Sequence, residues 1–447
     1  MEPPFGLHSL HFIPELKYDF KICYELRTDR TGPVDATPIQ WYGSLTCFHA
    51  LSSEPPYMSV TADAVVIGGG VMGTSILYNL VSRGVQKPVL LERNTLGAGS
   101  TGRSSGAIRM HYSTKVNASL AWESLKTYEN FNEIIGGGDV GFVRTGYMVF
   151  VPGDAISGLQ HNIDLQQEIG IDTQIVSRED AREIAPAFHQ EEDEAFAWEP
   201  RSGHADPSGT GLAYATRARD LGATVMLETP ATRVEIKNDR VVAVITNSDR
   251  YATDTAVVAT GPWSKDFLSG IGIHLPLEST RHEVFLLKRH LEKLPFHPGG
   301  ADMGNMTYFR PEGADLTLVG NGNREQKADP DNYNQRPSMD YLEDVWMRLS
   351  KRLPGIAEAE FFTGYAGLYT STPDLHPVID RVDGIDGLYI CTGFSGHGFK
   401  LAPAVGTVMA ELILEGAAST VDITSLNMNR FDRGETNTTS YDFKVIA

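Results

Sequence analysis

Strand-like and helix-like patterns alternate along most of this chain, beginning at Ala62. Ala64-Val-Val-Ile67 is apolar on both faces, as a strand buried within a sheet must be. Glycines follow, then a helical pattern over Val71–Arg83 and a second apolar run at Pro88–Leu91. The regular alternation of a doubly wound sheet stops there, because residues 94–105 are a loop of Gly, Ser, Thr and Arg. Helical periodicity returns around Val116–Ile134, alternating strands around Phe142–Val151, and a helix over Asp206–Leu221. Strands are predicted near Thr224–Leu227, Val241–Thr246 and Tyr251–Thr260. Glu283–Lys288, Thr307–Arg310 and Thr317–Val319 read as a second sheet, with a helix over Met339–Arg352.

The pattern predicts an α/β protein: a Rossmann-like, doubly wound, three-layer domain interrupted by an antiparallel-sheet α+β domain. Residues 58–145, 202–272 and 364–432 are assigned to the first, and 146–201 with 273–363 to the second. Residues 1–57 carry prolines and scattered aromatics without periodicity and read as an irregular extension. The fold is expected to begin near Met58, the preceding segment being an extension or a mis-assigned start. Residues 433–447 read as a polar tail.

A length of 447 residues suits two or three structural units. The formal net charge of -19 argues against a nucleic-acid partner, since phosphate backbones require a basic face. No apolar run is long enough to cross a bilayer, and no targeting signal is recognised. The three cysteines, Cys23, Cys47 and Cys391, form neither a metal-ligand spacing nor a disulfide framework. A reducing, cytoplasmic setting and no bound metal are the expectations.

Two glycine-rich signatures carry the chemistry. In the first, Gly68 permits a tight turn, Gly70 lets backbone approach a pyrophosphate, and Gly73 lets helix and strand pack closely. The helix start at Val71 and Met72 then favours the anionic group. Glu92, about 20 residues further on, stands where a carboxylate accepts from ribose hydroxyls. Arg93 follows it directly. The loop after this strand, with Ser100, Thr101, Arg103, Ser104 and Ser105, offers amides and hydroxyls to a pyrophosphate and a flavin edge. Thr260-Gly261 closes a strand that returns to the nucleotide domain. The second signature, Gly393-Phe-Ser-Gly396-His397-Gly398-Phe-Lys400, places a helix start where flavin N1 and its C2 carbonyl would sit. Together these favour FAD over NAD.

On these motifs, with Tyr369-Thr-Ser-Thr-Pro-Asp374 and Gly106-Ala-Ile-Arg109-Met-His-Tyr112, the chain resembles the D-amino-acid oxidase/glycine oxidase superfamily. Its pattern is most similar to monomeric sarcosine oxidase and related amine dehydrogenases, from about Asp63 to about Phe431. The resemblance implies oxidation of a C–N bond by hydride transfer to FAD, hydrolysis of the imine, and reoxidation by oxygen or another acceptor. It implies that Arg109 and Lys400 grip a substrate carboxylate, with a structural ion pair as the alternative for each. Tyr308 and, less closely, Tyr112 match pocket tyrosines, while Gly396 leaves room for substrate at the flavin face. His111, His376 and His397 read as packing histidines. Val234, Gly367, His397, Gly398 and Lys400 join the expected cofactor contacts.

The departures matter equally. Sarcosine oxidase attaches flavin through a cysteine where this chain has Gly367, and dimethylglycine-type dehydrogenases through a histidine where it has Arg103. FAD is therefore expected to be non-covalent. The oxygen-activating lysine of sarcosine oxidases corresponds to the stretch Asp315–Gly320, which carries Thr317 and Leu318 and no lysine. That favours a dehydrogenase or a slow oxidase. The leading substrate is a small amino acid or N-methyl amino acid. The alternatives are a D-amino-acid, glycine, proline or opine oxidoreductase, or a flavin-binding subunit of a larger electron-transfer complex.

Overall fold

The computed structural model describes residues 58–322 and 325–441. Its central sheet has six strands, in the order Thr224–Met226, Pro88–Leu91, Ala64–Ile67, Ala256–Val258, Leu388–Thr392 and Val378–Arg381. All neighbours run parallel except the last pair. Every residue of the four inner strands is buried, which is why they are apolar on both faces.

Alternate strand residues point to two different layers. Val66, Leu90 and Val257 meet helices Val71–Ser82, Pro207–Asp220 and Gly398–Glu415. Val65, Val89 and Val258 meet a small four-stranded sheet that includes Ala231–Lys237 and Arg240–Thr246. Ser75 Oγ donates to Ala402 O at 2.9 Å, tying the first helix to the last.

The predicted single strand Tyr251–Thr260 is two strands in two sheets, Asp249–Ala252 and Ala256–Val258. Between them Thr253 Oγ1 accepts from the Thr255 amide at 3.2 Å, a local side-chain turn that competes with the ladder. The second sheet has eight strands. Glu360–Ser371 pairs along its length with Glu278–Lys288, followed by Leu316–Asn321, Thr307–Glu312, Gly299–Asp302, Tyr147–Pro152, Glu194–Glu199 and Gln174–Val176. The expected boundary at residue 364 therefore cuts through a strand of this sheet. Residues 364–371 belong with the substrate-side sheet by hydrogen bonding.

The expected irregular extension, residues 1–57, lies outside the described residues, as do residues 442–447. The described part of the tail is seated rather than free: Tyr441 is buried, and Asn437 donates from both its amides to Asp374 Oδ2 at 3.2 Å.

Candidate active site

A cleft of about 500 Å³, within the usual range of a small-molecule site, runs from the carboxyl ends of the central sheet to the face of the large one. Its first end is the glycine turn. Gly68 has φ +114° and, together with Gly69, Gly70, Val71 and Met72, lines the cleft. Gly73 lies beneath, where a Cβ would collide with the Gly68 carbonyl. Thr101 Oγ1 accepts from the Val71 amide at 3.0 Å, fixing the serine-rich loop to the helix start. Glu92 accepts from the amides of Gly69 and Asn94 at 2.6 and 2.7 Å, which holds its carboxylate at the cleft wall.

Ser100, Arg103, Ser104, Ser105, Thr260, Gly261 and Gly367 also line the cleft, so the structure collects most of the predicted cofactor set. Ser100 Oγ donates to Leu368 O at 2.7 Å, and Arg103 Nη2 to Gln335 Oε1 at 2.7 Å. A Cβ on Gly367 would stand 2.8 Å from Arg103 Cβ, so the two positions from which non-covalent binding is expected adjoin. Val234 is one of the exceptions: its side chain is buried between the small sheet and the central sheet. The ladder shifts register between Ala231 and Arg233, and Pro230 and Ala231 reach the cleft instead.

Sequence reading missed a clasp at this end. Arg93 stacks over the Trp263 ring at 4.4 Å and meets Asp331 at 2.6 Å, while Trp263 Nε1 donates to the same Asp331 oxygen at 2.8 Å. Trp263 and Asp331 are distant in sequence, and no local pattern links them.

The other end is walled by rings. Tyr308 Oη and His282 Nε2 are 2.7 Å apart, and His282 stacks on Tyr369 at 4.3 Å. Burial drives the Tyr308 pKa well above the ordinary phenol value. Gly396, at φ +90°, lies against this stack; a Cβ there would stand 2.8 Å from the Tyr369 ring. His282 was not anticipated, because a polar residue in Arg281-His282-Glu283 carries no sign of which face enters a cleft.

Arg109, His397 and Lys400 do not line the cleft but lie behind it, 1 %, 3 % and 4 % exposed. Gly398 is on the wall. Arg109 donates to His111 O at 2.5 Å and lies over the Tyr112 ring at 4.9 Å; Tyr112 in turn meets His397 edge-on at 5.4 Å. Near them, Glu199 accepts from the Met110 amide at 3.0 Å and from Ser202 Oγ at 2.6 Å. Burial raises the Glu199 pKa, opposed by those two bonds and by the Arg109 charge. Burial, reinforced by the Arg109 charge, lowers His111 to about 3, so its ring is neutral. His376 is likewise a structural residue, donating its amide to Asp374 at 3.2 Å.

Thr317 faces away from the cleft and is bonded to His297 at 2.8 Å, whereas Leu318 shares a cluster with Val284 and Tyr308. The only described cysteine, Cys391, is buried in the central sheet with its thiol pKa raised by burial. Among the described residues no group of acidic, His and Cys side chains could hold a metal, and no helix is long and apolar enough to cross a membrane.

The residues fit a dinucleotide. Gly70 is a cradle in which a Cβ would meet only Thr101 Oγ1, at 3.2 Å, and the cleft continues from there to the ring-walled end.

Residues 63–412 match the model of the DAO family, FAD dependent oxidoreductase, and the chain belongs to that family. It is similar to the 4-methylaminobutanoate oxidase (formaldehyde-forming) of Paenarthrobacter nicotinovorans, 25 % identical over 88 % of this chain. It spans only 48 % of that relative's length. Monomeric sarcosine oxidase of Bacillus sp. (strain B-0618) is 27 % identical over 83 % of this chain and 97 % of its own. The crystal structure of L-proline dehydrogenase from P. horikoshii superposes with a TM-score of 0.78 at 29 % identity, covering 85 % of this chain and 100 % of that one. The protein is thus an FAD dependent oxidoreductase.

Proposed function

We propose that the protein oxidises the C–N bond of a small amino acid or N-methyl amino acid, sarcosine-like in size, with FAD held non-covalently. FAD, when bound, supplies the two-electron acceptor for the carbon beside the amine. The observation that carries this reading is the ring-walled end of the cleft. There Gly396 keeps the floor open while His282, Tyr308 and Tyr369 form a wall with a bonded imidazole–phenol pair. That pair offers the substrate amine a hydrogen-bonding partner and shields it from water. Arg109 and Lys400, both buried, supply the positive charge for a carboxylate.

Non-covalent attachment is supported by Gly367 and Arg103 at the two attachment positions and by the burial of Cys391. Leu318 on the cleft side of its strand favours a dehydrogenase or a slow oxidase over a fast one, since no cation from that strand stabilises reduced oxygen. Three cysteines suit a reducing compartment, the cytoplasm included.

Anaerobic bleaching of the flavin across a panel of amino acids and N-methylated amines tests the reading. Bleaching by a small amino or imino acid supports it. The rival reading is a flavin-binding subunit in which Arg109 serves only the fold, and it draws on the bond to His111 O and the stacking on Tyr112. That reading predicts a flavin untouched by every amine in the panel.

A further inference from the structure

The segment 437–441 is polar in sequence but enters the fold at two points. Asn437 anchors to Asp374, which is itself paired in the interior with Arg430 at 2.9 Å. Tyr441 then turns inward, 5 % exposed, with its hydroxyl 2.7 Å from His111 Nε2 and the two rings stacked at 5.9 Å. The opposing helix, Ile156–Ile169, makes room for it with Gly158. A Cβ at Gly158 would stand 2.6 Å from Ser440 O and 3.0 Å from Tyr441 Cδ1. Glycine inside a helix is unfavourable relative to alanine, so one placed under the seat of Tyr441 marks a close approach that a side chain would block.

His111 joins this seat to the site. Its ring meets Tyr441, and its carbonyl accepts the Arg109 Nη1 hydrogen at 2.5 Å. Gln166 Nε2 donates to Tyr112 O at 3.0 Å and holds the same stretch from the helix side. We propose that Tyr441 is a positioning residue for carboxylate recognition: by fixing the His111 ring it fixes the carbonyl that orients the Arg109 guanidinium. This rests on the reading of Arg109 as a carboxylate ligand. The physical need is angular, because a guanidinium recognises a carboxylate through a planar fork that a small rotation spoils.

The test uses the FAD-loaded enzyme and two probes, pyrrole-2-carboxylate and its neutral isostere pyrrole-2-carboxamide. Dissociation constants are read from the change each makes in the visible flavin spectrum. Y441F keeps the ring and removes the hydroxyl; we expect roughly three- to tenfold weaker binding of the carboxylate and unchanged binding of the amide. G158V fills the seat of Tyr441 from the opposite side and is expected to give the same selective loss. R109Q reports on the underlying reading and is expected to be at least as selective. If R109Q shows no preference between the probes, the clamp itself fails and the proposal with it. If R109Q is selective while Y441F and G158V bind the carboxylate like the parent, the clamp stands and the role of Tyr441 is refuted. Equal weakening of both probes in Y441F and G158V also refutes it, since that is the signature of a purely structural contact.

Discussion

Alanine at Gly70 and at Gly73 should have opposite consequences, although both belong to one motif. Gly70 sits at φ -72° and ψ 174°, a conformation open to any residue, and a Cβ there meets only Thr101 Oγ1 at 3.2 Å. The helix loses a glycine at its N-cap, which costs a few tenths of a kcal/mol up to about 1. Reduced freedom of the unfolded chain returns about 0.4–1 kcal/mol. The apoprotein of G70A should therefore match the parent within about 1 kcal/mol. The new methyl group faces the space through which a pyrophosphate must approach the backbone, so FAD affinity should fall at least about tenfold, or ~1.4 kcal/mol. G73A reverses this. Its Cβ would stand 1.9 Å from the carbonyl oxygen of Gly68, which is backbone. Backbone must shift to admit it, and overpacking of this kind costs about 1–3 kcal/mol. The assay is urea denaturation of the flavin-free proteins, followed by FAD titration monitored by quenching of flavin fluorescence. A G70A protein that holds FAD as tightly as the parent would refute the placement of the pyrophosphate. A G73A apoprotein of undiminished stability would refute the packing argument.

The remaining predictions concern the rest of the cleft and the core. D331N opens the Arg93–Trp263 clasp; as that ion pair is 41 % and 61 % exposed, FAD release should quicken only about two- to fivefold. High salt should narrow the difference, measured by trapping released flavin. Y308F should retain FAD but oxidise its amine about tenfold more slowly, seen as a reduced rate of anaerobic flavin reduction. Denaturing the holoprotein should leave the yellow colour in the supernatant, and flavin fluorescence on a denaturing gel band would refute non-covalent binding. His297 is held neutral, with Nδ1 on Pro298 O at 2.8 Å and Nε2 on Thr317 at 2.8 Å. Burial lowers its pKa to about 4, the Pro298 bond opposing and the Arg289 charge assisting. The unfolded histidine titrates near 6.5, so between 6.5 and about 4 the unfolded state binds more protons. Stability is therefore intact above 6.5 and falls towards pH 4, and H297Q should flatten the slope between denaturation curves at pH 7 and pH 5.

Strands buried on both faces were legible because four apolar residues in a row, ended by a glycine turn, are too short a run for a buried helix. The Gly68–Gly73 turn and Glu92 were legible for the same reason: their chemistry is local. The break within Tyr251–Thr260 was not, because a threonine turn of three residues looks like strand until its hydrogen bond is drawn. Helix Ile156–Ile169 was missed because its buried positions include Asn162 and Gln166, polar groups serving a distant site rather than an apolar stripe. The wall of the site escaped for a related reason. His282 enters the cleft through the pairing of Glu278–Lys288 with Glu360–Ser371, and strand pairing between remote segments leaves no periodicity. Arg109 and Lys400 were expected from the resemblance alone, and only the fold shows that both are buried and absent from the cleft lining.

The inner strand Ala256–Val258 is flanked by Ala64–Ile67 on one side and Leu388–Ile390 on the other. During synthesis its second edge stays bare while more than a hundred further residues emerge, since residue 388 is the first that can cover it. A bare apolar edge invites association with other nascent chains, which makes this interval the vulnerable one for the cell. Flavin acquisition is correspondingly late, because the cleft wall is completed by Gly393, Gly396 and Gly398, which leave the ribosome only after the strand that closes that edge.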